Sequence, residues 1–249
     1  MESILVDELK LYRGDDFKVN ELLTLHTPTL GEICDYGEMA YFSMIHSFTG
    51  TPADLMWQLD DIGIDYTAIS DWELFYQVLY HQFRPEVTGI LFGDFDFSSL
   101  KPYIHQDSGE VCLAGLGSLE EEVIIDAYTY RLLTEYVRKL HGLAKNEKRP
   151  ANETTKQILI EDARDAYLMN QKKEPRSVLK NLISGMINSE GFKFNYQTVW
   201  DMNIHAFLDS VERISKIKNA TLLLQSGYSG FGIDLKKIKS KQLDWLGEL

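Results

Sequence analysis

A chain of 249 residues, 44% hydrophobic and 25% charged, is long enough to bury a sizeable core and too apolar for wholesale disorder. Its formal net charge of −13 is unevenly spread, with −17 over residues 1–141 and +4 over residues 142–249. So acidic a first half repels phosphate backbones and anionic lipid surfaces, no run of 18 apolar residues offers a membrane helix, and two cysteines, Cys34 and Cys112, are too few for a disulfide framework. Nucleic-acid and membrane binding are therefore not expected, whereas docking onto a protein partner or a second copy through complementary charge is. The start is acidic and holds only a three-residue apolar stretch, which does not read as a signal peptide.

From Leu9 to His26 apolar and polar residues alternate around Arg13-Gly14-Asp15-Asp16, which predicts a short hairpin or two strand pieces. Helices follow. Thr29-Leu-Gly-Glu32 has capping-box spacing, with Gly37 a joint between two short helices. Thr51-Pro52 opens a helix that Gly63 ends, and Ser70-Asp-Trp-Glu73 opens another that runs to Phe83 and stops at Pro85. Thr88–Gly93 and Asp94–Leu100 read as strands, as does Glu110–Ala114 after the turn Gln106–Gly109, giving a sheet of two or three strands. Ser118-Leu-Glu-Glu121 then predicts the start of a long helix to about His141, striped by Ile124, Tyr128, Leu132, Tyr136 and Leu140.

Gly142 to Glu153 is polar, holds a proline and reads as a linker. Helical patterning resumes over Ile158–Tyr167, breaks at Lys172–Pro175, restarts at Ser177, and after Gly191 returns in Ile204, Phe207, Leu208, Val211, Ile214 and Ile217. The expected class is mostly α with a small β element (α+β). It comprises an acidic N-terminal domain over 1–141, a linker over 142–153, and a helical, bundle-like C-terminal domain over 154–249.

Chemistry is sparse. The six histidines are dispersed, and neither CxxC nor HExxH occurs, so no zinc site is expected. Asp94 and Asp96 would share a strand face, without the companions of an oxygen-ligand site. Gly115-Leu-Gly117-Ser118 could cradle a phosphate at a helix start, but Glu120, Glu121 and Glu122 would oppose the anion. Cys34 sits among carboxylates that disfavour a thiolate, and no GxSxG or Walker motif is present. The expectation is no cofactor, no metal, no catalytic residue and no enzyme; the basic clusters Lys145–Arg149, Lys172–Arg176 and Lys236–Lys241 read as solvated faces.

What the sequence does offer is docking surface. Trp57, Trp72 and Tyr76 belong to an aromatic-rich acidic region, while Leu243, Trp245, Leu246 and Leu249 form an apolar tail aimed by a turn at Tyr228–Phe231; these nine residues, Tyr228 and Phe231 among them, are the candidate partner contacts. Folding of the tail back on its own helices is the preferred alternative to an anchor.

Three stretches carry a resemblance: Thr27–Phe42, Ile64–Phe75, and Asn181–Asn188 with Phe207–Ile214 and Leu222–Gly230. They resemble tail or baseplate assembly proteins of bacteriophages of Gram-positive hosts, similar to tail assembly chaperones. That resemblance implies protein–protein binding without catalysis. It implies as partners other tail or baseplate proteins or a second copy, and a place in the host cytoplasm during assembly. A structural place in the virion is the alternative, and a small metal- or nucleotide-dependent enzyme a third reading.

Overall fold

The computed structural model describes residues 6–106, 109–116, 121–229, 232 and 237–247, and the architecture is mostly helical with two small antiparallel sheets. The first segment departs from the hairpin expectation. Asp7 accepts the amides of Leu9 and Lys10 and starts helix α1 (Glu8–Arg13), which Gly14 ends at φ +88° by returning its amide to Lys10 and Leu11. Local capping at both ends outcompeted the alternation. Only the latter part pairs, as β1 (Phe17–Lys18) with β2 (Thr24–Leu25).

The capping boxes are present where the sequence places them. Thr29 opens α2 (Leu30–Tyr36) and exchanges bonds with Glu32; Gly37, at φ +101°, joins it to α3 (Glu38–Thr49). Thr51 instead holds Asp54 in a turn, so that α4 begins later, at Met56, and runs to Asp61. Ser70 and Glu73 cap α5 (Asp71–Leu74), which continues through a π turn (Phe75–Leu79) and a 3-10 turn (Tyr80–Gln82). Pro85 does not merely stop that run. It takes the first position of α6 (Pro85–Phe92), where its missing amide costs nothing.

Thr88–Gly93 is therefore helix rather than strand: a short apolar run has no period that separates the two, and the proline decides. Asp94–Leu100 is not a strand either, because Asp96 caps a 3-10 turn at Phe97–Ser99 and turns Phe97 into the core. The three-stranded sheet forms from later residues, β3 (Lys101–Ile104), β4 (Val111–Leu116) and β5 (Glu122–Ile125), in that order and antiparallel. Ser118 lies outside the described residues, and the long helix is α7 (Ala127–Leu140), whose cap, Asp126, stands eight positions on. The alternating burial of Glu122–Ile125 gave that stretch to the sheet.

The core is built on rings. Phe48 lies 5.1 to 6.3 Å, centroid to centroid, from Phe75, Phe83, Phe92, Phe97 and Tyr130, in edge and tilted arrangements that ring quadrupoles favour. Next to it, Tyr41 and His141 meet at 2.6 Å, hydroxyl to Nε2, while His141 Nδ1 lies 2.7 Å from the Val137 carbonyl. The carbonyl can only accept, so Nδ1 carries the proton and Nε2 accepts from Tyr41. Burial holds this histidine neutral, its pKa down at about 4.

Past α7 the chain crosses residues 142–152 into α8 (Glu153–Gln171), then α9 (Val178–Ile187), a 3-10 turn at Val199–Asp201, α10 (Ile204–Tyr228) and the short α11 (Ser240–Leu243). These helices fasten onto N-terminal elements. α8 lies along α4, where Trp57 meets Tyr167 at 4.9 Å and Arg164 pairs with Asp61 at 2.6 Å. The start of α10 is woven in by backbone bonds, Leu30 donating to Met202 and Ile204 to Pro28, and buries Ile204 and Phe207 in the common core.

Candidate protein-docking groove

The groove arises where α9 meets α2. Ser177 caps α9 with its hydroxyl, and Glu38, from the start of α3, accepts the amides of Val178 and Leu179 at 2.8 and 2.9 Å. A carboxylate supplied from a distant element thus occupies the positive end of α9. Burial opposes its charge, but the hydrogen bonds from Ser177, Leu179 and Val178 prevail and hold the Glu38 carboxyl below its usual pKa. Opposite, the 3-10 turn brings the Trp200 backbone close to α2; a side chain at Gly31 would meet the Trp200 carbonyl at 3.1 Å. Glycine there lets the two segments approach.

Between these walls lies a cavity of about 480 Å³ floored by Leu30, Leu179, Ile183 and Ile187 and rimmed by Tyr196 and Trp200. Glu38 and Lys180 are the charged residues along it, and Cys34 opens onto it from α2. Trp200 donates its indole N–H to the Tyr196 carbonyl at 2.9 Å, which orients the ring at the rim. An apolar floor with an aromatic, partly wet rim suits an apolar side-chain ridge such as one face of a helix.

The nine residues expected to contact a partner are not gathered there. Trp57 is committed to α8 through Tyr167 and Arg164. Trp72 is half-buried, donates to the Val111 carbonyl at 3.0 Å and stands against Tyr76 and Tyr130, so it ties α5 to the sheet. Tyr228 is 80% exposed at the end of α10. Leu243 is half-buried, and the tail is folded back: Arg213 donates to the Trp245 and Gly247 carbonyls at 2.7 Å, and Lys216 to Gly247 at 3.0 Å. Trp245 and Leu246 nevertheless stay 44% and 76% exposed, because α10 grips their backbone and leaves their side chains outward. Phe231 and Leu249 lie outside the described residues.

The groove residues were harder to read. Phe192, Phe194, Tyr196 and Trp200 form an aromatic-rich segment between two helices, and that density in a polar connection was the available signal. The residues considered for chemistry are used structurally. Asp96 caps a turn, Cys112 is buried with its thiol pKa pushed up by that burial, and among the described residues no three His, Cys, Asp or Glu side chains lie close enough to hold a metal ion. No helix among them is long and apolar enough to cross a membrane.

The fold and groove define a mostly helical α+β protein with an apolar recess between its N-terminal elements and its C-terminal helices. Residues 170–249 match the model of the YomV second domain, and YomV is a Bacillus phage-region protein. These last 80 of 249 residues contain the whole α9 wall of the groove with Tyr196 and Trp200. No curated protein and no solved structure matches the chain.

Proposed function

We propose that the protein works in phage tail or baseplate assembly by binding another protein, without catalysis, and that the α9 groove is the docking site. The observation that carries this reading is the coincidence of an apolar recess with the segment that matches the YomV second domain. The occupant fitting it is an amphipathic helix of another tail or baseplate component, laid with its apolar face on Leu179, Ile183 and Ile187. A chaperone role accords with the acidic N-terminal surface, which keeps a protein with exposed apolar residues soluble while it holds a partner in the host cytoplasm. Retention in the virion as a structural part is the second reading, and the same groove would serve it.

The test is capture of the products of neighbouring genes by the full-length protein, followed by mass spectrometry of the complex and of finished particles. Capture with absence from the particle marks a chaperone, and presence in the particle marks a structural component. Within the complex, Cys34 should be protected from maleimide, and Tyr196→Glu should lower capture about tenfold or more, as expected for a charge placed in an interface. Unprotected Cys34 together with unchanged capture by Tyr196→Glu would remove the groove from the proposal. Trp245→Ala with Leu246→Ala tests the tail as an additional anchor, which unchanged capture by that variant would exclude.

A further inference from the structure

A second cavity, of about 600 Å³, lies on another face, between α5, α7 and the crossing from α7 to α8. That crossing is fastened rather than loose: Lys145 pairs with Asp71 at 2.7 Å, and Asn146 donates to Asp54 at 2.8 Å. It brings Lys145, Lys148 and Arg149 to the same cavity as Arg131 and Arg138 of α7. Asp71, Glu135 and Glu147 also line it, leaving a net charge of +2 in a protein whose formal net charge is −13.

The cations are incompletely satisfied. Arg138 is only 7% exposed, yet among the described residues its guanidinium donates only to the Thr49 carbonyl and pairs with no carboxylate. A guanidinium stays charged at any ordinary pH, so burying it without an anion is costly. Arg131 reaches Glu135 at 3.9 Å, outside hydrogen-bond distance, and its Nε is buried without a partner. Tyr66, 5% exposed, also lines the cavity with an unpartnered hydroxyl. Lys148 and Arg149 are exposed and form no ion pair among the described residues. Two of the four buried orphan polar atoms in the described structure thus belong to residues around one cavity that already holds an unpaired buried arginine.

We propose that this cavity is a binding site for a small organic phosphate, its phosphate taken by the fork of Arg138 with Lys148 and Arg149, and its uncharged body lying toward Trp72. Arginine presents paired donors that match phosphate oxygens, and the charge it has no partner for inside the protein is supplied by the ligand. The site is independent of the groove and of the assembly reading.

The experiment is calorimetric titration of the full-length protein with inorganic phosphate, adenosine monophosphate and adenosine, at constant ionic strength set by sodium chloride, with melting temperature followed in parallel. Both phosphates should bind saturably and raise the melting temperature, and adenosine should do neither. Lys148→Glu with Arg149→Glu changes two exposed side chains and should weaken binding about tenfold or more while leaving the unliganded melting temperature nearly unchanged. Arg138→Lys, which keeps the charge and loses the fork, should weaken it as well. An absence of saturable binding by either phosphate overturns the proposal, as does affinity indifferent to the double substitution.

Discussion

The ring-lined core under α3, α5 and α7 and the helices from α8 onward teach opposite lessons about how one chain spends its apolar residues. In the first region Phe48, Phe75, Phe83, Phe97 and Tyr130 are fully enclosed and touch one another. In the second, α8 buries only Ile160 across 19 residues, and α10 buries Ile204, Ala206, Phe207 and Ala220 across 25. Long helices with so little buried face draw their order from a few anchor points. The first region closes on itself, and the second leaves most of its residues half-buried or exposed.

The largest effect separating them should come from Phe48→Ala. It empties the centre of five ring contacts and should cost about 3–5 kcal/mol, read as a lower urea midpoint, whereas Leu222→Ala on the exposed side of α10 should stay within about 0.5 kcal/mol. Equal costs would abolish the distinction between the regions.

Acid should act on the first region next. His141 is neutral when folded, with a pKa of about 4, and near 6.5 when unfolded. The unfolded chain therefore binds the proton first, and stability falls as pH drops from 6.5 toward 4, by about 3 kcal/mol in all. His26 has the opposite sign. Burial opposes its protonation, but hydrogen bonds to Asp16 and Glu32 raise its pKa, so its contribution is fully present below 6.5 and fades as pH rises through the folded value. Denaturation of the wild type and His141→Gln across this range separates the two. An unchanged acid slope in the variant would sink the assignment of the slope to His141.

Smaller still is the fastening of α8. A double-mutant cycle on Trp57→Ala and Tyr167→Ala should give a coupling of about 0.5–1.5 kcal/mol, and Trp57→Ala alone should speed amide exchange in α8 while sparing α7. Exchange rising equally in both helices would mean that they unfold as one unit. At the bottom of the scale, Arg213→Ala should change global stability by less than about 1 kcal/mol, because the carbonyls it holds lie near the surface. Trypsin should nonetheless cut faster at Lys237–Lys241 once the tail is released.

Much of the fold was legible. Thr29 and Ser70 announce their helices because a capping box is a local exchange of hydrogen bonds that distant residues do not need to complete. The α+β class, the strand that begins at Val111 and the helices at Ser177 and Ile204 follow from periodicity in the same way. The misreadings fell where a short apolar run has no period of its own. Thr88–Phe92 became helix because Pro85 could open one, and Glu122–Ile125 became strand because β4 offered it an edge to pair with.

The candidate site was less legible for a different reason. The sequence marks Trp57 and Trp72 as aromatic and near the surface, but a docking residue and an internal brace have the same composition. Tyr167 and the Val111 carbonyl, far along the chain, made them braces. By itself the sequence determined the uneven charge, the helix starts and the supply of apolar residues, all of which depend on neighbours within a few positions. Only the tertiary structure decided that Leu30, Ile183 and Trp200 share a groove, because proximity across more than a hundred residues is a property of packing, and that a buried Arg138 lines one cavity with Lys148 and Arg149, because burial is one too.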